Sequence, residues 1–215
     1  MQFSPFLGKE YSESEIVEQL NRYGNFIEFQ ELKEKIYKQA SGALAEGKII
    51  AWYQGRGECG PRALGNRSIL ADPRRENMKD ILNKKVKFRE AFRPFAPACI
   101  YEFQNEYFDL DISAPYMLMV ANVKENVKKY IPAVVHVDGT ARVQSVSKEL
   151  MPEFYALITE FYKITKIPMV INTSFNIKGE AIVETPEDAI KCFLKTEIDE
   201  LYIGKFKVTK KLRSL

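Results

Sequence analysis

Apolar positions recur along this chain at two spacings, helical in some stretches and strand-like in others. Leu32, Ile36, Ala40, Ala43 and Leu44 fall on one helical face and predict a helix over 29–46, ended by Gly47. Before it, Ser12 with Glu15 forms a capping-box pattern, opening a short helix that carries Ile16, Val17 and Leu20 and stops at Gly24. The unbroken apolar run Ile49-Ile50-Ala51-Trp52-Tyr53 predicts a buried strand. Residues 76–85 read as helix, and 87–99 as extended, because Pro94 and Pro97 forbid helix interior and push their predecessors toward β. A strand over 117–123 follows. Runs over 133–137 and 141–146 flank Asp138-Gly139, a hairpin signal. Pro152 opens a helix with Phe154, Leu157, Ile158, Phe161 and Ile164 on one face. A strand over 169–172, a helix start at Thr185-Pro186-Glu187-Asp188 and a last strand over 201–208 complete the pattern. Helices and strands mix without strict β-α-β-α alternation. The prediction is therefore one α/β domain with a twisted, mixed β-sheet and flanking helices.

Length and composition narrow this further. At 215 residues the chain supports one sizeable core. We expect residues 1–12 to be a linker or N-terminal extension, 13–209 the domain and 210–215 a C-terminal tail. No apolar run approaches the ~18 residues a membrane span needs, and Met1-Gln2-Phe3-Ser4-Pro5 lacks the blocks of a signal peptide. Cys59, Cys99 and Cys192 are odd in number and far apart, which argues for a reducing, cytoplasmic setting. The sequons at Asn66 and Asn172 would matter only in a secreted protein. The formal net charge is +3, yet residues 56–93 hold eleven Lys/Arg against five Asp/Glu. Cations so concentrated imply an anionic ligand (nucleotide, phosphate or nucleic acid), against the plainer reading of a solvated basic helix.

The motifs sharpen the anion reading. Gly55-Arg56-Gly57-Glu58-Cys59-Gly60 matches G-x-G-x-x-G after a strand, but the acidic second strand of a dinucleotide fold does not follow, and Pro61-Arg62 replaces the Lys-Ser/Thr of a phosphate loop. A tight turn exploiting glycine's backbone freedom is the competing role. In the segment 60–68, Arg62 and Arg67 stand among small residues, suited to phosphate oxygens or to a buried ion pair with Glu58. In an extended 87–97, Lys87, Arg89 and Arg93 share one face while Phe88 and Phe92 turn into the core. Arg142 shares a strand face with Gln144 and must find an anion. His136 is the only histidine, so neither a serine triad nor a zinc site is credible, and a packed strand histidine is expected. Asn172 and Ser174 sit at the carboxyl end of a strand, where α/β sheets bind ligands, although both residues also favour turns.

These blocks together carry a resemblance. The segments 54–73, Lys87-Phe88-Arg89-Glu90 with Arg93-Pro94-Phe95-Ala96-Pro97, then His136-Val137-Asp138-Gly139-Thr140-Ala141-Arg142-Val143-Gln144, and Asn172-Thr173-Ser174-Phe175-Asn176 with Gly179-Glu180 occur in order across roughly 10–208. They resemble the O-carbamoyltransferases that act on nodulation factors and antibiotics. The matching region in that family is a C-terminal YrdC-like domain, usually behind a larger actin-like domain. The resemblance implies a two-step activation. Carbamoyl phosphate is hydrolysed to carbamate, which attacks ATP to give carbamoyl adenylate and pyrophosphate; the partner domain then carbamoylates a hydroxyl. By position, Lys87, Arg93, Arg142 and Ser174 would be catalytic, while Arg62, Arg89, Asn172 and Asn176 would bind the nucleotide, which Mg2+ can accompany. The actin-like domain's histidine- and aspartate-bound metal site has no counterpart here, so an excised or truncated chain is expected, with no metal site of its own. Two other readings stand beside this one: a nucleic-acid-binding YrdC-like module, and a non-catalytic domain that closes over the missing half.

Overall fold

Trp52 and Tyr53 are consecutive on one strand and point to opposite faces of a sheet. The Trp52 ring lies 6.2 Å from Tyr37 of one helix, while the Tyr53 hydroxyl donates to the Glu184 carbonyl (2.7 Å) just ahead of another. Both faces are thus covered, which explains why Ile50–Tyr53 reads as a continuous apolar run. The computed structural model describes residues 3–90 and 93–211.

In chain order the elements are α1 (Glu13–Arg22), β1 (Ile27–Glu31), α2 (Ile36–Ala45), β2 (Ile50–Tyr53), β3 (Arg67–Ala71), α3 (Met78–Leu82), β4 (Ala96–Ile100) and α4 (Gln104–Tyr107). They continue with β5 (Met119–Asn122), β6 (Thr140–Val146), α5 (Pro152–Thr165), β7 (Met169–Ser174), α6 (Pro186–Lys195), β8 (Glu200–Ile203) and β9 (Phe206–Lys210). The strands form one mixed sheet ordered β1-β9-β8-β2-β3-β7-β4-β6-β5, in which β2–β8 and β4–β6 run parallel and the other pairs antiparallel. Among the described residues no helix is long and apolar enough to cross a membrane.

Several expectations hold in detail. Both α1 and α6 begin with complete capping boxes, Ser12 with Glu15 and Thr185 with Asp188. Leu32, Ile36, Ala40, Ala43 and Leu44 are all buried. Where sequence and structure part, the cause is local. The helix expected from residue 29 starts at Ile36, because 27–31 pair with β9 as an edge strand. β3 escapes the sequence pattern because Arg67 and Ser68 interrupt its apolar run. The last strand is two, β8 and β9, folded at Gly204 (φ 53°). Residues 133–137 are not a hairpin arm; Pro132–Val134 is a 3-10 turn and β6 pairs instead with β5. His136 consequently lies in the turn, its backbone N–H donating to the Thr140 carbonyl (2.8 Å), and is not a strand residue. Ile164 is exposed. Residues 3–12 carry neither helix nor strand, but three backbone hydrogen bonds tie them to the glycine loop: Gly8 to Gly57, Gly57 to Lys9 and Cys59 to Pro5.

Gly65 shows how tightly that loop meets the helical layer. It adopts φ 122°, and a β-carbon there would overlap the Phe154 ring of α5. Gly65→Ala is expected to cost about 2–4 kcal/mol from overpacking and backbone strain, read as a lower urea midpoint at unchanged slope.

Candidate functional site

The site is built where β7, β4 and β6 lie side by side. Asn172 pairs with Ala96, and the β4–β6 register of Ala98 with Gln144, carried two residues back, sets Ala96 beside Arg142. Lateral neighbours in a sheet share a face. Asn172 and Arg142 therefore flank the small Ala96 methyl on one floor.

Above this floor is a cavity of about 250 Å³. Four arginines line it, Arg62, Arg89, Arg93 and Arg142, together with Asn172, Thr173, Ser174 and the segment Pro94-Phe95-Ala96. No carboxylate is among the lining residues. Burial and then the Arg62 charge lower the Arg142 pKa; burial, then Arg93, lower that of Arg89. Arg89 is oriented from behind, its Nε donating to Asn83 Oδ1 (2.8 Å) and its guanidinium lying 4.8 Å over the Phe95 ring. Arg93 meets Glu90 at 3.3 Å on the exposed rim. Arg62, Arg89 and Arg142 make no salt bridge among the described residues.

Lys87 is brought to the site by a route the sequence does not display. The expected extended run over 87–99 holds from Ala96, where β4 begins, but its start does not: Lys87 closes a π-helical turn over Asn83–Lys87, followed by Phe88 in the left-handed region (φ 47°). The reversal sends Lys87 inward and Arg89 toward the cavity, so the two do not share a strand face. Phe88 is left exposed rather than in the core; Phe92 lies outside the described residues. Lys87 is 4% exposed and does not line the cavity. Its ammonium instead sits in a cage of four oxygens: the Ser174 carbonyl (2.5 Å) and Oγ (3.2 Å), and the Asn176 carbonyl (3.1 Å) and Oδ1 (2.8 Å). Burial, then the Arg89 charge, lower its pKa to about 7. The oxygen cage is what holds a proton there against them.

Asn176 faces the other way, lining a neighbouring cavity of about 420 Å³ with Glu58, Arg67, Glu180 and Glu184. Pro61 borders both cavities. Six of the eight residues expected at the site thus line the arginine cavity, Lys87 stands directly behind Ser174, and Asn176 is reached through Lys87.

The glycine loop resolves into scaffolding. Glu58 pairs with no guanidinium; its carboxylate accepts the backbone N–H groups of Leu64 (2.7 Å), Asn66 (3.0 Å) and Arg67 (3.2 Å). Burial pushes its pKa up to about 7, against those donors. Arg67 is buried and donates to the carbonyls of Gln54, Gly55 and Asn66, with its guanidinium 3.6 Å over the Tyr53 ring. Arg62 and Arg67, five residues apart, therefore divide: Arg67 holds the loop and Arg62 faces the cavity. Met117 and Thr173 also line the cavity and were not legible beforehand. Met117 betrays itself only through its backbone, at φ 58°.

Comparisons with known proteins bear on the family and the fold. The family described as carbamoyltransferase C-terminus matches residues 41–210. The chain is 43% identical to nodulation protein NolO of Bradyrhizobium diazoefficiens over 216 residues, covering 99% of the chain and 39% of that protein. It is 39% identical to the 3'-hydroxymethylcephem-O-carbamoyltransferase of Amycolatopsis lactamdurans, covering 78% of the chain and 32% of that enzyme. The chain thus spans well under half the length of these curated relatives. Among solved structures, full-length HypF matches with a TM-score of 0.51 at 18% identity, over 86% of this chain and 22% of that one. A doubly substituted Sua5 of P. abyssi matches with 0.52 at 18% identity, over 79% of this chain and 48% of that one. These structures establish the YrdC-like fold.

The depressed Lys87 pKa gives a pH signature. Above about pH 7 the ligand-free group tends to lose its proton, whereas an anion beside it favours the ammonium, so binding takes up a proton and weakens as pH rises. Calorimetric titration with sulfate, which does not titrate in this range, should show affinity falling severalfold between about pH 7 and pH 9. Lys87→Met should abolish that slope.

Proposed function

The chain belongs to the carbamoyltransferase C-terminal family, and on that premise we propose that its arginine cavity holds carbamoyl phosphate and joins the carbamoyl group to ATP. The observation that carries this reading is four guanidinium groups lining one small cavity without a carboxylate. Such an arrangement attracts a compact polyanion and stabilises negative charge that develops on phosphorus.

In the proposed sequence, water attacks carbamoyl phosphate, releasing inorganic phosphate and leaving carbamate. A carbamate oxygen then attacks the α-phosphorus of ATP. A new phosphorus–oxygen bond forms, the bond to pyrophosphate breaks, and carbamoyl adenylate remains. Two polyanions must approach each other here, and the guanidinium groups of Arg62, Arg89, Arg93 and Arg142 offset their repulsion. Ser174 Oγ accepts from Lys87 (3.2 Å) and donates its one proton to Asn176 Oδ1 (2.7 Å); in this reading that proton turns from Asn176 to a nucleotide phosphate, and Lys87 supplies positive charge across the hydroxyl. Asn176, which supplies two of the four oxygens in the Lys87 cage, faces the larger neighbouring cavity, which has room for the nucleoside end.

Magnesium prefers oxygen ligands in octahedral array. The arginine cavity offers cations and amides, so its donor set does not fit a resident metal ion. Any Mg2+ would enter on the nucleotide's own phosphates. Transfer of the carbamoyl group to an acceptor hydroxyl belongs, in this reading, to the actin-like domain expected in the remaining length of the relatives.

The test is carbamoyl-phosphate-dependent release of pyrophosphate from ATP by the full chain. Arg142→Ala should lower it by roughly a hundredfold or more, in line with the loss of a single charge-stabilising donor. Ala96→Leu should do the same by filling the floor of the cavity. Unchanged release in both variants would overturn the proposal.

A further inference from the structure

Two residues that line the arginine cavity each carry a buried polar atom with no partner among the described residues. Asn172 Oδ1 accepts no hydrogen bond and Arg142 Nε donates none, and both atoms are buried. They belong to the two residues that flank Ala96, with Cα atoms two interstrand spacings apart, about 10 Å. An acceptor and a donor thus stand on either side of a methyl group. Buried polar atoms are rarely left unpaired, because desolvation without a compensating bond is costly.

Gln144 decides which atom of the Asn172 amide is left over. Its Nε2 donates to the Leu64 carbonyl (2.8 Å), which turns its Oε1 toward Asn172. Asn172 Nδ2 then donates both its hydrogens, to Gln144 Oε1 (2.7 Å) and to the Ala63 carbonyl (3.1 Å). A reversed Asn172 amide would set its oxygen against two others. The chain Leu64–Gln144–Asn172 therefore fixes Oδ1 as a bare acceptor.

We infer that Asn172 Oδ1 and Arg142 Nε read the planar amide end of the carbamoyl group, with Gln144 as the positioning residue that sets their polarity. The carbamoyl NH2 donates to Asn172 Oδ1, its carbonyl oxygen accepts from Arg142 Nε–H, and the phosphate faces the guanidinium ends of Arg62, Arg89 and Arg93. This rests on the proposed function above and adds a substrate preference to it. Acetyl phosphate has the same charge and nearly the same shape, but presents a methyl group to Asn172 Oδ1 and leaves that oxygen unpaired. A site built around a hydrogen bond rejects the analogue that lacks it.

Calorimetry on the full chain with carbamoyl phosphate and with acetyl phosphate tests the inference. Carbamoyl phosphate is expected to bind at least tenfold more tightly, roughly the effect of one unmade buried hydrogen bond. Gln144→Met, close in volume but unable to orient an amide, should bring the ratio of the two dissociation constants toward one. A purely structural role for Gln144 would weaken both ligands alike and preserve the ratio, which would overturn the positioning role. Equal affinities in the unaltered chain would overturn the amide reading while leaving the phosphate site intact, and they decide the matter even where the variant fails to fold. Binding of neither ligand would overturn the proposed function and this inference together.

Discussion

Four like charges held close together, without an acid among the residues lining their cavity, are the constraint on which the site depends. Arg89 and Arg142 are disfavoured by burial and by neighbouring guanidinium charge, and the protein meets that cost through the rigidity of what surrounds them. Arg142 is carried by a strand in register with β4. Arg89 is braced by Asn83 and the Phe95 ring. Arg62 extends from a loop whose backbone is gathered around the Glu58 carboxylate. A floppier frame would let the arginines splay toward solvent or toward surface acids, as Arg93 already does with Glu90 at the rim. In the proposed function that mutual repulsion is offset by the anionic substrate.

The scaffold behind that cavity shows how one stretch of polar residues serves two ends. Glu58 and Arg67 favour each other's charge without a direct side-chain bond; each binds backbone groups of the same loop. The glycine pattern at 55–60 serves conformation rather than dinucleotide binding. Gly55 and Gly60 both take positive φ, and a β-carbon on Gly57 would crowd the Glu184 carboxylate at 2.7 Å. Tight backbone packing here allows a segment dense in charge to keep Arg67 inside and turn Arg62 to the cavity.

Much of the fold was legible because caps and apolar periodicity are local signals. The capping box of α1, the threonine N-cap of α6, the buried face of α2 and the run into β2 follow directly from side-chain spacing. β1 and β3 were not legible, since their strand character comes from partners distant in sequence: β1 from pairing with β9, and β3 from lying between β2 and β7. At the site, residue types announced an anion pocket, and the arginines do converge. The error was geometric. Pro94 and Pro97 suggested an extended backbone throughout, whereas five residues of π-helix and a left-handed Phe88 come first. Such a reversal has no propensity signature; it exists because Lys87 finds its oxygens on the far side of β7. The Asn172–Gln144 amide pair was equally hidden, since it spans two strands, β7 and β6, that the sheet separates by β4.

The oxygen cage around Lys87 also bears on how this position tolerates exchange. Four acceptors disposed around a single nitrogen match a compact ammonium that can rotate its three hydrogens among them. A guanidinium is flat, bulkier and needs its donors met in one plane. Arginine at this position would keep the charge and lose the fit, displacing the Ser174–Asn176 turn it is meant to support. A replacement that substitution tables rate as mild is here a change of coordination shape.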